Sequence, residues 1–200
     1  MFCIKKLLEV FNVKNFVLMF LVSFIMLANI SAANAEVVRV SDIDVQKFVH
    51  SMADVIYTEE FQKETPLLIT NAVKVENVEL PEIGKAAWGC QYGLKTANAP
   101  DGEILFFVDD TEKVSAFKIV GYSEQSVENA TILLILALST TGLTQSEAEF
   151  LLNNLSDDDT LASSVVWSPE INRCVVLIAG ARAQAAEGFQ FMVMATDKQN

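Results

Sequence analysis

The chain has 200 residues, of which 52% are hydrophobic and 20% charged, with 14 Lys and Arg against 26 Asp and Glu. Only 8 Gly and 4 Pro are present, which excludes a collagen-like, low-complexity or wholly disordered chain. The formal net charge is −12, and no run of Lys or Arg is longer than the pair Lys5-Lys6. A nucleic-acid-binding surface needs a cationic face, so this class is excluded as well.

Residues 1–35 have the pattern of a secretory signal peptide. Three lysines give the segment a basic start, an apolar run from Phe16 to Ala28 follows, and Ala33-Asn34-Ala35 is a small-x-small cleavage signal. We expect cleavage before Glu36 and export to the periplasm, the cell surface or the medium. The alternative is an uncleaved membrane anchor, but the apolar run falls short of the roughly 20 residues that span a bilayer.

Residues 36–200 are expected to form a single acidic α+β domain. Cleavage removes three Lys and one Glu and moves the formal net charge from −12 to −14. Such a charge favours solubility and repels anionic lipid headgroups, so we expect no stable membrane insertion after cleavage. A protein or a small ligand is the expected partner, and a homo-oligomer stays open.

Two cysteines remain after cleavage, because Cys3 leaves with the leader. In an oxidising compartment an even pair suggests one disulfide, here between Cys90 and Cys174. The alternative is two buried free thiols. Neither cysteine belongs to a CxxC motif, so the sequence gives no support for a metal or catalytic role of the pair.

The first half of the exported chain is predicted to form one helix followed by four strands. Apolar residues at three- and four-residue steps predict a helix over 43–58, with Ser41 and Asp42 as candidate N-caps. Residues 59–64 are charged and are predicted to be irregular. Strands are predicted over 67–78, 87–94, 103–108 and 114–122, the last two as a hairpin.

The second half is predicted to form two helices followed by three strands. Residues 126–139 contain a helix that is apolar all round and needs cover on several sides, from its own fold or from a partner. Thr144 and Glu147 make a capping box for a second helix over 145–155. Strands are predicted over 162–167, 173–181 and 189–196.

The predicted element order is α-β-β-β-β-α-α-β-β-β. Helices and strands come in runs and do not alternate, which predicts an α+β fold with an antiparallel sheet and helices packed on one face. Each half begins with helix and continues with strands, so a diverged duplication is open, although the halves share no residue-level similarity.

Residue combinations typical of enzymes are scarce. His50 is the sole histidine, and it lies one helical turn before Asp54, where an exposed helix pair is the favoured interpretation and a general base the alternative. No nucleotide-binding glycine motif is present, and Asp157-Asp158-Asp159 lacks the spacing of an EF-hand, so we expect no cofactor or metal. A hydrolase that uses two carboxylates stays open. Its candidate acids are Glu59, Glu60, Glu64, Glu79, Glu82, Asp109 and Asp110.

Binding is better supported than catalysis, because the helix over 126–139 and the last strand have more apolar residues than one buried face requires. In the last strand Phe189, Phe191 and Val193 lie on one face, and Met192 and Met194 lie on the other. The candidate interface is therefore Phe189, Phe191, Met192 and Met194, usable by strand addition if that strand is an edge. The preferred alternative is a central strand covered on both faces.

The sequence leaves three functional hypotheses. The first is a non-catalytic module that binds a protein or ligand in the bacterial cell envelope or outside the cell. The second is an exported hydrolase that uses carboxylates. The third is an envelope structural protein that assembles with itself through residues 130–138 or 189–195.

Overall fold

The computed structural model describes residues 38–75, 83, 86–123, 126–155, 161–181 and 189–197. In these ranges the chain forms four helices and one eight-stranded antiparallel sheet. The α+β class with an antiparallel sheet is therefore confirmed. The predicted signal peptide, residues 1–35, lies outside the described residues.

The helices are α1 (Val45–Ile56), α2 (Glu59–Glu64), α3 (Val127–Thr140) and α4 (Gln145–Asn153). Three of them begin at a side chain that accepts a hydrogen bond from a backbone N–H of the first turn. The capping residues are Asp44 for α1, Thr58 for α2 and Thr144 for α4. In α4 the capping box is complete, because the side chain of Glu147 also accepts from the N–H of Thr144.

The sheet is built from two short strands followed by six long ones. They are β1 (Leu67–Ile69), β2 (Val73–Val75), β3 (Ala86–Leu94), β4 (Gly102–Val108), β5 (Val114–Gly121), β6 (Leu161–Ser168), β7 (Arg173–Ala181) and β8 (Phe189–Thr196). The order across the sheet is β1-β3-β4-β5-β8-β7-β6, and β2 pairs with β3 beside β1. Two meanders, β3-β4-β5 and β6-β7-β8, thus join through their last strands.

All four helices lie on the same face of the sheet, which we call the inner face. The main core combines helix residues such as Phe48, Leu133 and Leu151 with inward-facing strand residues such as Phe106 and Val193. Phe48, Phe106 and Phe117 form an aromatic cluster at the centre, with ring centroids 5.5 to 6.4 Å apart. The second apolar cluster lies on the opposite face and contains no residue from these helices.

Two local predictions are wrong in detail. The single strand expected over 67–78 is two short strands, because Leu67 and Ile69 face the core while Val73 and Val75 face the other side of the sheet. In one continuous strand, residues separated by an even number of positions share a face. Ile69 and Val73 lie on opposite faces, so the strand is interrupted between them. Residues 59–64, expected to be irregular, form α2.

The segment that precedes α1 is hydrogen-bonded to the first residue of β5, Val114. The N–H groups of Val40 and Ser41 each donate to the carbonyl of Val114, at 3.0 Å. Ser115 is the extra residue of a bulge, since Phe107 pairs with Ala116 and Val108 with Val114. Helix α1 consequently starts later than predicted, with Asp44 and not Ser41 or Asp42 as its N-cap.

Candidate functional site

The outer face of the sheet, opposite the helices, carries a group of half-buried apolar side chains on its last three strands. We call Met192 and Met194 of β8, Val176 and Ile178 of β7, and Val165 of β6 the outer patch. Val176 pairs with Met194 on one side and with Val165 on the other, and Ile178 pairs with Met192. Because paired residues in a sheet project to the same side, the five side chains form a continuous surface across three strands. Val165 is 53% exposed.

Beside the outer patch, the same face is covered in part by the chain itself. Phe107 and Ala116 are buried there and pack with Ile83, which belongs to the connection between β2 and β3, and with both patch methionines. The register places Ala116 directly opposite Met194. The outer patch is thus the continuation, across β8, β7 and β6, of a small apolar cluster that Ile83 covers on the other half of the sheet.

The four residues of the predicted interface are divided between the two faces. Phe189 and Phe191 are 8% and 4% exposed, their rings are 5.5 Å apart, and they belong to the main core. Met192 and Met194 belong to the outer patch. The alternation expected from the sequence is therefore present, and only the methionine half of the candidate interface lies where a partner could reach it.

Strand β8 is a central strand, because it pairs with β5 on one side and β7 on the other. Strand addition at β8 is consequently not available. The sheet ends instead at β6 on one side and at the short strands β1 and β2 on the other. The alternative preferred from the sequence is a central strand covered on both faces. The central position is observed, and the face with Phe189 and Phe191 is buried in the main core, whereas Met192 and Met194 on the other face are half-buried.

Helix α3, the other segment proposed for self-assembly, is covered mainly by its own fold. Ala130, Leu133, Leu134, Ala137 and Leu138 are buried against α1, α4 and β5. Ile135 is 44% exposed. A shallow groove of about 330 Å³ lies between this helix and α1, lined by Val55, Leu136, Ser139 and Thr140 among others.

The sole histidine lies on the surface of α1. The Nε2 atom of His50 is 3.6 Å from a carboxylate oxygen of Asp54, and both side chains are largely exposed. His50 lines an open groove of about 360 Å³ that also contains Lys47, Tyr57 and Thr70. The Tyr57 hydroxyl donates to the carbonyl of Ile69 at 2.6 Å and fixes the far wall. The geometry is that of an exposed i, i+4 helix pair.

The predicted disulfide between Cys90 and Cys174 is corrected by the structure, in which both thiols are free. Cys90 lies on the inner face of β3, and Cys174 lies on the outer face of β7, four strands away. At about 4.8 Å per strand the separation is roughly 19 Å, whereas a disulfide needs Cα atoms within about 7 Å. Burial raises the pKa of the Cys90 thiol to about 12, so we expect this thiol to be unreactive in the folded chain.

Among the described residues, the acids considered for a two-carboxylate hydrolase do not come together in one site. Asp109 is the most strongly held of them, since its carboxylate pairs with Arg39 and accepts hydrogen bonds from the N–H groups of Thr111 and Lys113. Burial alone would raise its pKa, but the hydrogen bonds and the guanidinium outweigh burial, and the pKa is lowered. Glu59 pairs with Lys63 at 2.8 Å. Glu79 and Glu82 lie outside the described residues.

Metal binding and membrane insertion have no structural support within the described ranges. There, Cys, His, Asp and Glu form no group of three that could hold a metal ion. Residues 157–159, the acidic triplet weighed as a calcium site, lie outside these ranges. Among the same residues, none of the helices has the length and apolar character needed to cross a membrane.

Comparison with protein-family models, with curated proteins and with solved structures finds no match to this chain.

Proposed function

We propose that this protein is an exported, non-catalytic module that binds another protein through the outer face of its sheet. The observation that carries the proposal is the one-sided packing of the fold. Among the described residues all four helices cover the inner face and none covers the outer patch, where Val165 is exposed and the two methionines, Val176 and Ile178 are half-buried. Exposed contiguous apolar surface of this kind typically marks a protein interaction site.

A protein fits this surface better than a small ligand does. Small molecules bind in concave sites that bury most of their surface, whereas a sheet face is broad and gently twisted. The two grooves described above lie on the helical side, between α1 and its neighbours, and both are shallow and open. The patch methionines also favour a protein partner, because their flexible side chains adapt to an opposing surface.

The chemistry of the polar residues supports binding over catalysis. His50 is exposed, and within the described part of the chain it pairs with Asp54 in the manner of a surface helix residue. The carboxylate of Asp109 holds the β4–β5 turn to the segment before α1, which is a structural task. The expected leader, residues 1–35, sets the location of the proposed partner in the cell envelope or outside the cell.

The test compares charged substitutions on the two faces. Val176→Glu with Met194→Glu alters the outer patch, and Val55→Glu with Ile135→Glu adds the same charge on the helical face, where both residues are 44% exposed. Each protein is immobilised and exposed to envelope and culture-fluid proteins of the producing cell, and retained proteins are identified by mass spectrometry.

We expect the unsubstituted protein and the helical-face variant to retain the same protein in stoichiometric amount. The outer-face variant should lose at least about tenfold of it, because a buried unpaired charge opposes docking. Circular dichroism and the unfolding midpoint establish that both variants are folded. Retention that is equal for all three proteins, or absent for all three, contradicts the proposal.

A further inference from the structure

We infer that the groove beside His50 is a second binding site, and that its ligand is an uncharged oligosaccharide. The groove, which we call the α1 groove, lies on the helical side of the sheet, between α1 and residues 69–71. Its volume of about 360 Å³ is at the small end of the range of small-molecule sites. The inference goes beyond the proposed function and does not depend on it, because the outer patch is on the opposite face.

One wall of the α1 groove is an aromatic ring that is held in a fixed orientation. Tyr57 is 50% exposed, yet its hydroxyl donates to the carbonyl of Ile69 at 2.6 Å and accepts from the N–H of the same residue at 3.2 Å. A ring held in this way loses little conformational entropy when a ligand packs against it. The C–H groups of a sugar ring suit such a surface, because the face of an aromatic ring carries partial negative charge.

Amide groups in the same groove match the hydroxyl groups of a sugar. The Nε2 atom of Gln46 donates to the carbonyl of Ala72 at 3.1 Å, which positions this side chain. Among the described residues, the Gln46 amide oxygen and the whole amide of the exposed Asn71 have no hydrogen-bond partner. An amide can donate and accept, as a hydroxyl can, so these groups fit a sugar hydroxyl in either direction.

The charges of the groove favour an uncharged ligand. The ammonium group of Lys47 is 3.3 Å from a carboxylate oxygen of Asp44, and His50 faces Asp54 on the same helix. Each basic group of the lining thus has an acidic partner, and the net charge of −12 repels anions from the protein as a whole. A cation is disfavoured as well, because it would meet the ammonium group of Lys47.

The open shape of the groove favours a ligand that is rich in hydroxyl groups. Val49 and Ala53 give the lining an apolar part, against which one side of a sugar ring can pack. The other side of a ligand in so shallow a groove stays in water. A saccharide keeps its outward hydroxyl groups hydrated there, whereas an apolar ligand would leave much of its surface exposed.

Amide NMR of the protein, purified in the form that the producing cell releases, tests the inference during titration with maltotriose, cellotriose and triacetylchitotriose. We expect at least one of these neutral trisaccharides to shift the signals of His50, Thr70 and Asn71, with a Kd of about 0.1–1 mM. The signals of Val165 and Val176, in the outer patch, should stay in place. Inorganic phosphate at the same concentrations should not shift the groove signals.

Two substitutions with matched controls locate the bound trisaccharide. Tyr57→Ser removes the aromatic wall and should weaken binding at least about tenfold. Phe150→Ser removes a ring on α4 that is similarly exposed, at 47%, and should leave the affinity unchanged. Asn71→Ala should weaken binding about threefold to tenfold through the loss of a hydrogen bond. Its control is Asn153→Ala, which removes another exposed amide, at the end of α4.

Circular dichroism and the unfolding midpoint establish that the variants are folded. If the loss of two hydrogen bonds unfolds the Tyr57 variant, the Asn71 pair and the titration of the unsubstituted protein still decide the question. The inference is overturned by the absence of shifts with all three trisaccharides up to about 10 mM, by shifts with phosphate alone, or by equal affinities of Asn71→Ala and Asn153→Ala.

Discussion

Asp109 is the residue through which the start of the folded chain is held to the sheet. It accepts a hydrogen bond from the N–H of Lys113 at 3.1 Å, which closes the β4–β5 turn. It also pairs with Arg39, which lies only four residues into the chain that cleavage before Glu36 would leave. The side chain of Asp109 is 11% exposed. A single carboxylate thus orders both a hairpin turn and the N-terminal segment that leads to α1.

Replacing Asp109 by Asn should lower the free energy of unfolding by about 1–3 kcal/mol, because Arg39 loses its charge partner in a partly buried setting. The measurement is the urea unfolding curve at pH 7. Asp54→Asn is the matched control, since it removes the same charge from an exposed carboxylate and should change stability by less than about 0.5 kcal/mol. Equal effects of the two substitutions would show that Asp109 is not a structural anchor.

The two thiols should differ in reactivity. Cys90 is 3% exposed and burial raises the pKa of its thiol to about 12, whereas Cys174 is half-buried on the outer face. Iodoacetamide at pH 8 should therefore label Cys174 in the folded protein and label Cys90 only in denaturant. Reductant should leave the unfolding midpoint unchanged. A peptide map that links Cys90 to Cys174 without reduction would contradict the structure.

Among the elements, α4 shows most clearly how a short helix gains a defined start. It has nine residues, too few for an isolated helix to persist in water. Its first turn is stabilised by reciprocal hydrogen bonds, in which Thr144 accepts from the N–H of Glu147 and Glu147 accepts from the N–H of Thr144. Ala148 and Leu151 then bury its inward side against the core. Local capping and a small apolar contact together specify this element.

Thr144→Ala should destabilise the protein by about 1 kcal/mol, because one N–H of the first turn of α4 loses its acceptor. Thr144→Ser retains the hydroxyl and should recover most of this loss. Both are measured as shifts of the urea midpoint, and hydrogen exchange in residues 145–148 should increase in the alanine variant alone. If serine and alanine destabilise equally, the methyl group of Thr144 matters and the cap does not.

The sequence predicts the elements better than it predicts how they meet. Hydrophobic periodicity and the capping box locate α1, α3, α4 and all six long strands, since these signals are local. Helix α2 was not predicted, although Thr58 as a cap and the i, i+4 pair Glu59 and Lys63 are local signals for it. The break between β1 and β2 depends on which side of the sheet Val73 must face, and this is a tertiary constraint.

For the candidate site too, the local sequence pattern predicts the strand but not its tertiary neighbours. The alternation in β8 correctly separates Phe189 and Phe191 from Met192 and Met194, but it does not say which pair faces the helices. Pairing of β8 with β5 decides the question, and nothing local predicts a contact between the last strands of two meanders. An even number of cysteines suggested a disulfide between Cys90 and Cys174, yet faces and strand order, which a cysteine count does not encode, keep them apart.

At the scale of the whole molecule, the β5–β8 pair unites two halves of similar construction. On either side of it a three-stranded meander runs outward, from β5 to β3 and from β8 to β6. Each meander follows a pair of helices, and α1 packs against α3 over the joined sheet. A duplication would produce this arrangement. Both halves send their described helices to the same side, so on the other side of the combined sheet the outer patch has no cover from these helices.

The same acidic molecule should have a stability maximum on the acid side of neutrality. Between pH 7 and about pH 4.5, protonation brings the net charge of −12 toward zero near the isoelectric point of 4.4 and relieves self-repulsion. Below that range a second effect opposes folding, because hydrogen bonds in the folded state lower the pKa values of Asp44, Asp109 and Glu147. The three carboxylates favour folding as long as they are ionised.

The sign of this second effect follows from linkage. A carboxyl whose pKa is lowered in the folded chain gives its full stabilisation above its unfolded pKa of about 4, and the stabilisation is lost as the pH falls through the folded value. We therefore expect the urea midpoint to hold or rise from pH 7 to about 4.5 and to fall steeply below about pH 4. Asp109→Asn should make the fall of the urea midpoint below pH 4 less steep, because one of the three carboxyl groups no longer titrates. Asp54→Asn should leave this fall unchanged. A midpoint that keeps rising below pH 4 would contradict this prediction, because below the isoelectric point the growing positive charge and the protonation of these carboxylates both oppose folding.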